Sequence, residues 1–184
     1  MLSAEAFGGT TEEAVNAALA VELVHAASLV HDDILDQGIK RRGTQSALER
    51  FGPEAALLAG DWLISRSIEL ISHYRQPVIA AFSAACMDMA EGELMDLSAA
   101  SSADDYYNCI SKKTASLFSA SAKIGAMLSG ADDQDGGDVC SFGHQVSRTG
   151  FWAQKKGARA ARPLSQERGL PSRAGRSLDQ IPQR

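Results

Sequence analysis

Residues 14–30 read AVNAALAVELVHAASLV and are apolar on nearly every side of a helix. A helix of this kind belongs at the centre of a bundle, because a surface helix would carry one polar face. Thr10 and Glu13 form the sequence pattern of a capping box, so we predict that the helix begins there and runs to about Asp36. Polar residues spaced three or four apart lie along one stripe of it, which indicates a cavity wall. They are His25, Ser28, Asp32 and Asp36.

The rest of residues 1–150 also predicts helices. Pro53 and Pro77 are the two prolines of this region, and each is expected at the start of a helix, where proline is tolerated. We predict a short helix near 45–51, a helix from Pro53, another from Pro77 to about Leu97, and one from an Asp104 cap to about Leu128. Since no stretch alternates with period two, the predicted fold class is all-α.

Charge divides the chain into two regions. The 184 residues, 45% of them hydrophobic, suffice for one domain with a core. Residues 1–150 hold 21 acidic and 10 basic side chains, whereas residues 151–184 hold 2 and 8. The acidic body excludes a uniformly basic nucleic-acid-binding protein. We predict a helical domain over 1–150, followed by a disordered basic tail over 151–184 or by the product of a shifted reading frame.

The three cysteines predict the compartment. Cys86, Cys109 and Cys140 show no metal-type pairing and are typical of free thiols in a reducing compartment, so a cytoplasmic location is predicted. No apolar run approaches the ~18 residues of a membrane span.

The sequence HDDILD, residues 31–36, carries the clearest chemical signal. Asp32 and Asp36 lie four residues apart, so their carboxylates share a helical face about 6 Å apart. Clustered carboxylates repel one another unless a cation is bound, and hard oxygen ligands suit Mg²⁺. Arg41 and Arg42 follow closely and suit a polyphosphate anion bridging to the metal. The pattern therefore predicts a magnesium–diphosphate site.

Residues 23–44, LVHAASLVHDDILDQGIKRRGT, resemble the first aspartate-rich motif of the trans-type isoprenyl (polyprenyl) diphosphate synthases, DDxxD followed by RRG. Further dipeptides stand in the order expected of that family. They are Gly60-Asp61, Gly92-Glu93 with Asp96, and Lys113-Thr114. The resemblance implies an all-α, isoprenoid-synthase-type bundle around a cavity. It also implies a transferase of isoprenoid biosynthesis in which Mg²⁺ binds an allylic diphosphate, and the allylic cation formed from it reacts with isopentenyl diphosphate.

The resemblance also implies roles for individual residues. Asp32 and Asp36 would be Mg²⁺ ligands, with Asp33 assisting. Arg41 would hold the allylic diphosphate, and Arg42 would hold the isopentenyl diphosphate.

Residues later in the chain would complete this site. Lys113 would contact the allylic diphosphate, and Thr114 would help to stabilise the cation. Glu93 stands where many family members have glutamine or glutamate. Ala27 and Ser28 occupy the chain-length wall one turn before the motif, and their small side chains predict products of about C20 or longer.

The sequence departs from the family pattern at both ends. The glycine-lysine-arginine segment that helps to bind isopentenyl diphosphate is not found before Met1, and no DDxxD follows Asp36. The expectation is therefore an incomplete bundle, a fragment whose isolated activity is very low. Two alternatives remain: a class I terpene cyclase, or a non-catalytic subunit that pairs with a complete synthase. A homodimer is also expected.

Overall fold

The central helix α2 spans Thr11–Leu35, as the sequence predicts. The computed structural model of the chain describes residues 1–98, 102–131 and 141. Thr10 caps α2 through a complete capping box: its hydroxyl accepts from Glu13 N–H, and the Glu13 carboxylate accepts from Thr10 N–H. The first free N–H groups of α2 are thereby satisfied.

Further helices surround α2. They are α1 (Leu2–Ala6), α3 (Ala47–Phe51), α4 (Pro53–Ile71), α5 (Gln76–Leu97), α6 (Ala103–Ile110) and α7 (Ser116–Leu128). The predicted helix starts at Pro53 and near Pro77 are confirmed. Apart from one hairpin, the regular structure of the described residues is helical, so the all-α prediction is confirmed. The predicted tail lies outside the described residues.

The helix predicted from Asp104 to Leu128 is wrong in two respects. Its cap is Ser102, whose hydroxyl accepts from Asp105 N–H, so the acidic pair belongs to the first turn. The segment Ser111–Ala115 is a π-helical turn that separates α6 from α7. Helical periodicity does not reveal such a turn, because the turn inserts a single residue into an otherwise helical pattern.

The core lies between α2, α4, α5 and α7. Small side chains on α2 let the other helices approach closely, and larger ones fill the space between them. The core includes Ala17, Ala20, Val24, Leu70, Ile71, Val78, Phe82, Leu117 and Ile124. Tyr74 ties the α4–α5 connection to α2, since its hydroxyl donates to Glu13 O at 2.9 Å and accepts from Ala17 N–H at 3.1 Å.

A tight hairpin follows α2. Strand β1 (Lys40–Arg41) pairs antiparallel with β2 (Thr44–Gln45). Arg42 and Gly43 form the two-residue loop with φ values of 51° and 83°. Positive φ at both loop positions is the geometry of a type I′ turn, which brings the chain straight back. The hairpin thereby places Arg41 beside the C-terminal end of α2.

Helix α2 also has the length and apolar composition of a membrane-spanning helix, alone among the described helices. The central helix of a bundle passes the same test, and α2 packs against α4 and α7.

Candidate functional site

The three aspartates at the end of α2 occupy different environments. Asp32 is half-buried and faces a large cavity, whereas Asp36 is exposed and caps the helix. Asp33 is only 5% exposed. Gly38 N–H donates to Asp33 O at 2.8 Å and closes the last turn, so the chain reverses directly after the acidic cluster.

Asp33 holds Arg41. Arg41 Nε and Nη2 donate to the two carboxylate oxygens of Asp33 at 2.9 and 2.8 Å. This bidentate arrangement is a strong form of ion pair, and it raises the pKa of Arg41. Because both oxygens of Asp33 are engaged, its evident action is to fix the guanidinium beside the acidic cluster.

A second cluster joins α2 to α5 and the π-helical turn. Lys113 Nζ lies 2.5 Å from Glu93 Oε2 and 2.9 Å from Asp96 Oδ2. The Glu93 carboxyl group lies close enough to Asp32 to influence its pKa. Burial raises the pKa of Asp32 to about 6; Lys113 opposes this shift, while Glu93 and Asp36 add to it. The carboxyl groups of Asp32, Glu93 and Asp96 therefore lie near the ammonium group of Lys113, although Asp32 and Lys113 are 81 positions apart in the sequence.

The charge of Lys113 is secured by its neighbours. Burial lowers the pKa of Lys113, but hydrogen bonds to Glu93 and Asp96 and the charge of Asp32 outweigh burial, and the net shift is upward. Lys113 is thus a fixed cation over the physiological pH range.

The π-helical turn lies directly on α5 at Gly92. A Cβ built on Gly92 would lie 2.7 Å from Lys113 Cα and would also meet Lys113 N. Beside it, Lys112 Nζ binds Asp88 Oδ1 at 3.3 Å and Glu91. Two adjacent lysines therefore fasten the turn to α5, and a glycine lets the two backbones touch.

A cavity of about 1050 Å³ runs down from these charged groups. Asp32, Glu93, Lys113 and Thr114 stand at one end of it. Most of its remaining wall is apolar and comes from four helices. These wall residues include Val21, Leu29, Ile64, Ile68, Ile71, Ile79, Phe82, Met89, Leu94 and Leu117.

Three serines in this wall donate their hydroxyl hydrogens to carbonyl oxygens of their own helices. Ser28 donates to His25 O at 2.8 Å, Ser67 to Ile64 O at 2.7 Å, and Ser72 to Glu69 O at 2.7 Å. Each hydroxyl is satisfied by its own helix, so the cavity receives largely apolar surface. The polar stripe predicted on α2 does line the cavity at His25, Ser28 and Asp32.

The donor set fits an open magnesium site rather than a closed one. Within residues 1–98 and 102–131, no three His, Cys, Asp or Glu side chains converge as a metal-binding group. Asp32 and Asp36, one turn apart, still offer hard carboxylate oxygens. Mg²⁺ characteristically takes one or two carboxylates and fills its other positions with water and substrate phosphate.

The other predicted residues are distributed as follows. Thr114 and Ser28 line the cavity. Ala27 is fully buried and is not among the described residues that line the cavity. Arg42 is exposed at the hairpin tip. Asp61, on α4, lies 3.7 Å from His31 Nε2.

Sequence reasoning missed the contribution of α5 to the cavity. Its lining residues Phe82, Cys86, Met89 and Glu93 recur at intervals of three and four. This spacing places them on one face, so a search for a helical stripe ending at Glu93 would have found them.

Comparisons with known proteins agree with this geometry. The family model described as polyprenyl synthetase matches residues 1–149. The chain belongs to the polyprenyl synthetase family. It is 50% identical over 149 residues to the geranylfarnesyl diphosphate synthase of Methanosarcina mazei, covering 79% of this chain and 50% of that protein. It is 35% identical over 156 residues to a geranylgeranyl diphosphate synthase of the same organism, covering 79% and 48%.

A solved structure shows the same fold. The polyprenyl synthase of Caulobacter crescentus, in complex with calcium and isoprenyl diphosphate, superimposes with a TM-score of 0.76 at 30% identity, covering 79% of this chain and 46% of that chain. The isoprenoid-synthase fold predicted from the family resemblance is thus confirmed. The chain spans about half the length of the relatives it matches.

Proposed function

We propose that this chain carries part of the catalytic site of a Mg²⁺-dependent prenyltransferase that adds isopentenyl diphosphate to an allylic diphosphate. The observation that carries the proposal is the meeting of Asp32, Glu93 and Lys113 at one end of a largely apolar cavity. A prenyl diphosphate has matching chemistry: a polyanionic head and a hydrocarbon tail.

The charged groups would hold the head of that substrate. When bound, Mg²⁺ supplies positive charge that stabilises the departing diphosphate. Asp32 and Asp36 would hold the metal. Lys113, fixed by two carboxylates, and Arg41, fixed by Asp33, would present additional positive charge toward the phosphate oxygens. Such groups are effective because they are oriented before the reaction begins.

The cavity would hold the tail and exclude water. An allylic cation is captured by water unless the site is dry. The largely apolar wall, with the hydroxyls of Ser28 and Ser67 bonded to their own helices, would favour the hydrocarbon tail over water. Thr114 lies beside Lys113 on the cavity wall, where its hydroxyl oxygen would be available to the cation.

We infer a product of about C20 to C25. Asp32 and Val21 both line the cavity and are 11 residues apart on α2, which corresponds to about 16 Å along the axis. An isoprene unit adds four main-chain bonds and spans about 5 Å when extended, by analogy with the extended peptide chain. The wall between Asp32 and Val21 therefore accommodates about three units, which is the length of a C15 primer, and the longer product length rests on similarity to named relatives. The names of the two Methanosarcina relatives correspond to C25 and C20 products.

Calorimetric titration of the 184-residue chain with farnesyl diphosphate, with and without Mg²⁺, tests the proposal. We expect Mg²⁺-dependent binding that Asp32→Asn weakens at least about tenfold, a loss of about 1.4 kcal/mol. Asp104→Asn is the matched control, because Asp104 is exposed in the first turn of α6. Binding that does not require Asp32 would contradict the proposal.

Product analysis after adding isopentenyl diphosphate distinguishes the alternatives. Chain extension supports the prenyltransferase, and a cyclised product supports a terpene cyclase. Binding without turnover, restored to turnover by a complete synthase, supports a non-catalytic subunit. The low activity expected of this chain alone, its self-association and its cytoplasmic location stay predictions.

A further inference from the structure

Ser46 lies directly after strand β2, at the base of the hairpin that carries Arg41 and Arg42. Its side chain is almost completely buried, at 3% exposure, although Arg42 and Gly43 in the loop of the same hairpin are exposed. A hydroxyl group that is removed from water costs free energy unless it finds hydrogen-bond partners in the protein. Burial of Ser46 therefore indicates a specific contact within an otherwise exposed segment.

The backbone and the side chain of Ser46 both make hydrogen bonds. The hydroxyl donates to Gly38 O at 2.5 Å and accepts from Glu49 N–H at 3.1 Å. The Ser46 N–H donates to Ile39 O at 3.1 Å. The bond to Glu49 caps α3, whereas the bonds to Gly38 and Ile39 reach the segment that precedes β1. Ser46 therefore joins the two ends of the hairpin to each other and to α3.

Gly38 is the residue at which the base of the hairpin meets the acidic cluster. A Cβ built on Gly38 would lie 2.7 Å from Asp33 Oδ1, and this same oxygen accepts from Arg41 Nη2 at 2.8 Å. Gln37, one residue earlier, has a φ of 53°, and a residue other than glycine stays in this region only where its surroundings hold it there. The Ser46 hydroxyl is therefore separated by a single residue, Gly38, from the carboxylate that holds Arg41.

We propose that Ser46 is a positioning residue, whose hydroxyl holds Gly38 against Asp33 and thereby fixes Arg41 where it meets the substrate diphosphate. The inference rests on the proposed function, since it presupposes that Arg41 holds a phosphate group. A cation stabilises developing negative charge best when it is oriented beforehand, and a displacement of about 1 Å is enough to weaken such a contact. Ser46 acts through Gly38 and Asp33, and not by contact with the substrate.

Substitutions at Ser46 separate this role from the capping of α3. Ser46→Ala removes both bonds of the hydroxyl, whereas Ser46→Thr retains a hydroxyl that donates and accepts. Ser46→Gly is a second variant that removes the bond to Gly38 but disturbs the cap less, because glycine is well accepted at the N-cap of a helix. Ser102→Ala is the matched control: Ser102 caps α6 by accepting from Asp105 N–H at 3.1 Å, and it is exposed. Circular dichroism verifies that each variant folds.

The experiment measures the affinity of the 184-residue chain for farnesyl diphosphate in the presence of Mg²⁺, by calorimetric titration. We expect Ser46→Ala and Ser46→Gly to weaken binding about tenfold, and Ser46→Thr and Ser102→Ala to stay within about threefold of the wild type. In an Arg41→Ala background, Ser46→Ala should weaken binding by less than about twofold further, because residues that act through one contact are not additive.

The outcomes separate the two proposals. Asp32-dependent binding that neither Ser46→Ala nor Ser46→Gly weakens refutes the positioning role and leaves the proposed function standing. The positioning role is also refuted if Ser46→Thr binds as weakly as Ser46→Ala, or if Ser46→Ala weakens binding equally with and without Arg41. Failure of farnesyl diphosphate to bind in an Asp32-dependent manner overturns the proposed function, and the positioning role with it.

Discussion

Replacement of Gly92 by alanine tests the most demanding contact of the candidate site. At Gly92, α5 touches the π-helical turn that carries Lys112 and Lys113. The added Cβ would lie 2.7 Å from Lys113 Cα, whereas carbon atoms in contact prefer about 3.5–4.0 Å. The obstacle is backbone, which a side-chain rotation cannot relieve. The turn must therefore move by about 1 Å.

Helix propensity and steric overlap have opposite effects on the free energy of unfolding of Gly92→Ala. Alanine is favoured over glycine within a helix by about 1 kcal/mol. Overpacking of a tight contact costs about 1–3 kcal/mol. We expect a net decrease of about 1 kcal/mol in the free energy of unfolding, which lowers Tm by roughly 2–4 °C in a chain of this size. A displacement near 1 Å can also reduce catalysis by about a hundredfold.

Chemical denaturation of the wild type and of Gly92→Ala measures the change in the free energy of unfolding. The control is Ala84→Gly, at an exposed position of α5, which isolates helix propensity and should cost about 1 kcal/mol. Hydrogen exchange at residues 111–115 should accelerate in Gly92→Ala and stay unchanged in Ala84→Gly. If Gly92→Ala stabilises the protein by about 1 kcal/mol, the close approach of α5 to the π-helical turn is refuted.

The remaining predictions concern single side chains. Asp33→Asn removes the bidentate partner of Arg41 and should lower the free energy of unfolding by about 2 kcal/mol. Asp36→Asn, at an exposed position, should change the free energy of unfolding by less than about 0.5 kcal/mol. Equal effects of the two variants in denaturation curves would contradict the pairing of Asp33 with Arg41. Burial raises the pKa of Cys86 from 9.0 to about 11, so its thiolate fraction at pH 8 should be about a hundredfold below that of an ordinary thiol. Alkylation of Cys86, measured by mass spectrometry, should be slower by the same factor at pH 8 and should increase steeply toward pH 11. Rapid alkylation at pH 8 would refute this expectation. Trp62 is 64% exposed on α4, so Trp62→Ser should reduce the predicted self-association in light-scattering measurements; an unchanged molar mass would remove Trp62 from any interface.

Short sequence patterns predicted most of the helices and the acidic part of the candidate site. The capping box at Thr10, the proline at Pro53 and the apolar pattern of residues 14–30 act between near neighbours in the chain, so each could be recognised in the sequence. The acidic cluster at residues 32–36 was recognised for the same reason. Predicting the start of α6 failed at Asp104, because Ser102 supplies an equally good cap two residues earlier.

The sequence by itself determined α2, α4 and α5, the acidic end of α2 and, through its resemblance, the family. Only the tertiary structure decided that Asp33 holds Arg41, that Lys113 lies between Glu93 and Asp96, and that Asp32 and Phe82 line one cavity. The physical reason is that capping and periodicity depend on residues within one or two helical turns. Ion pairs, cavities and the backbone contact at Gly92 depend instead on how distant helices pack, which no short stretch of sequence specifies.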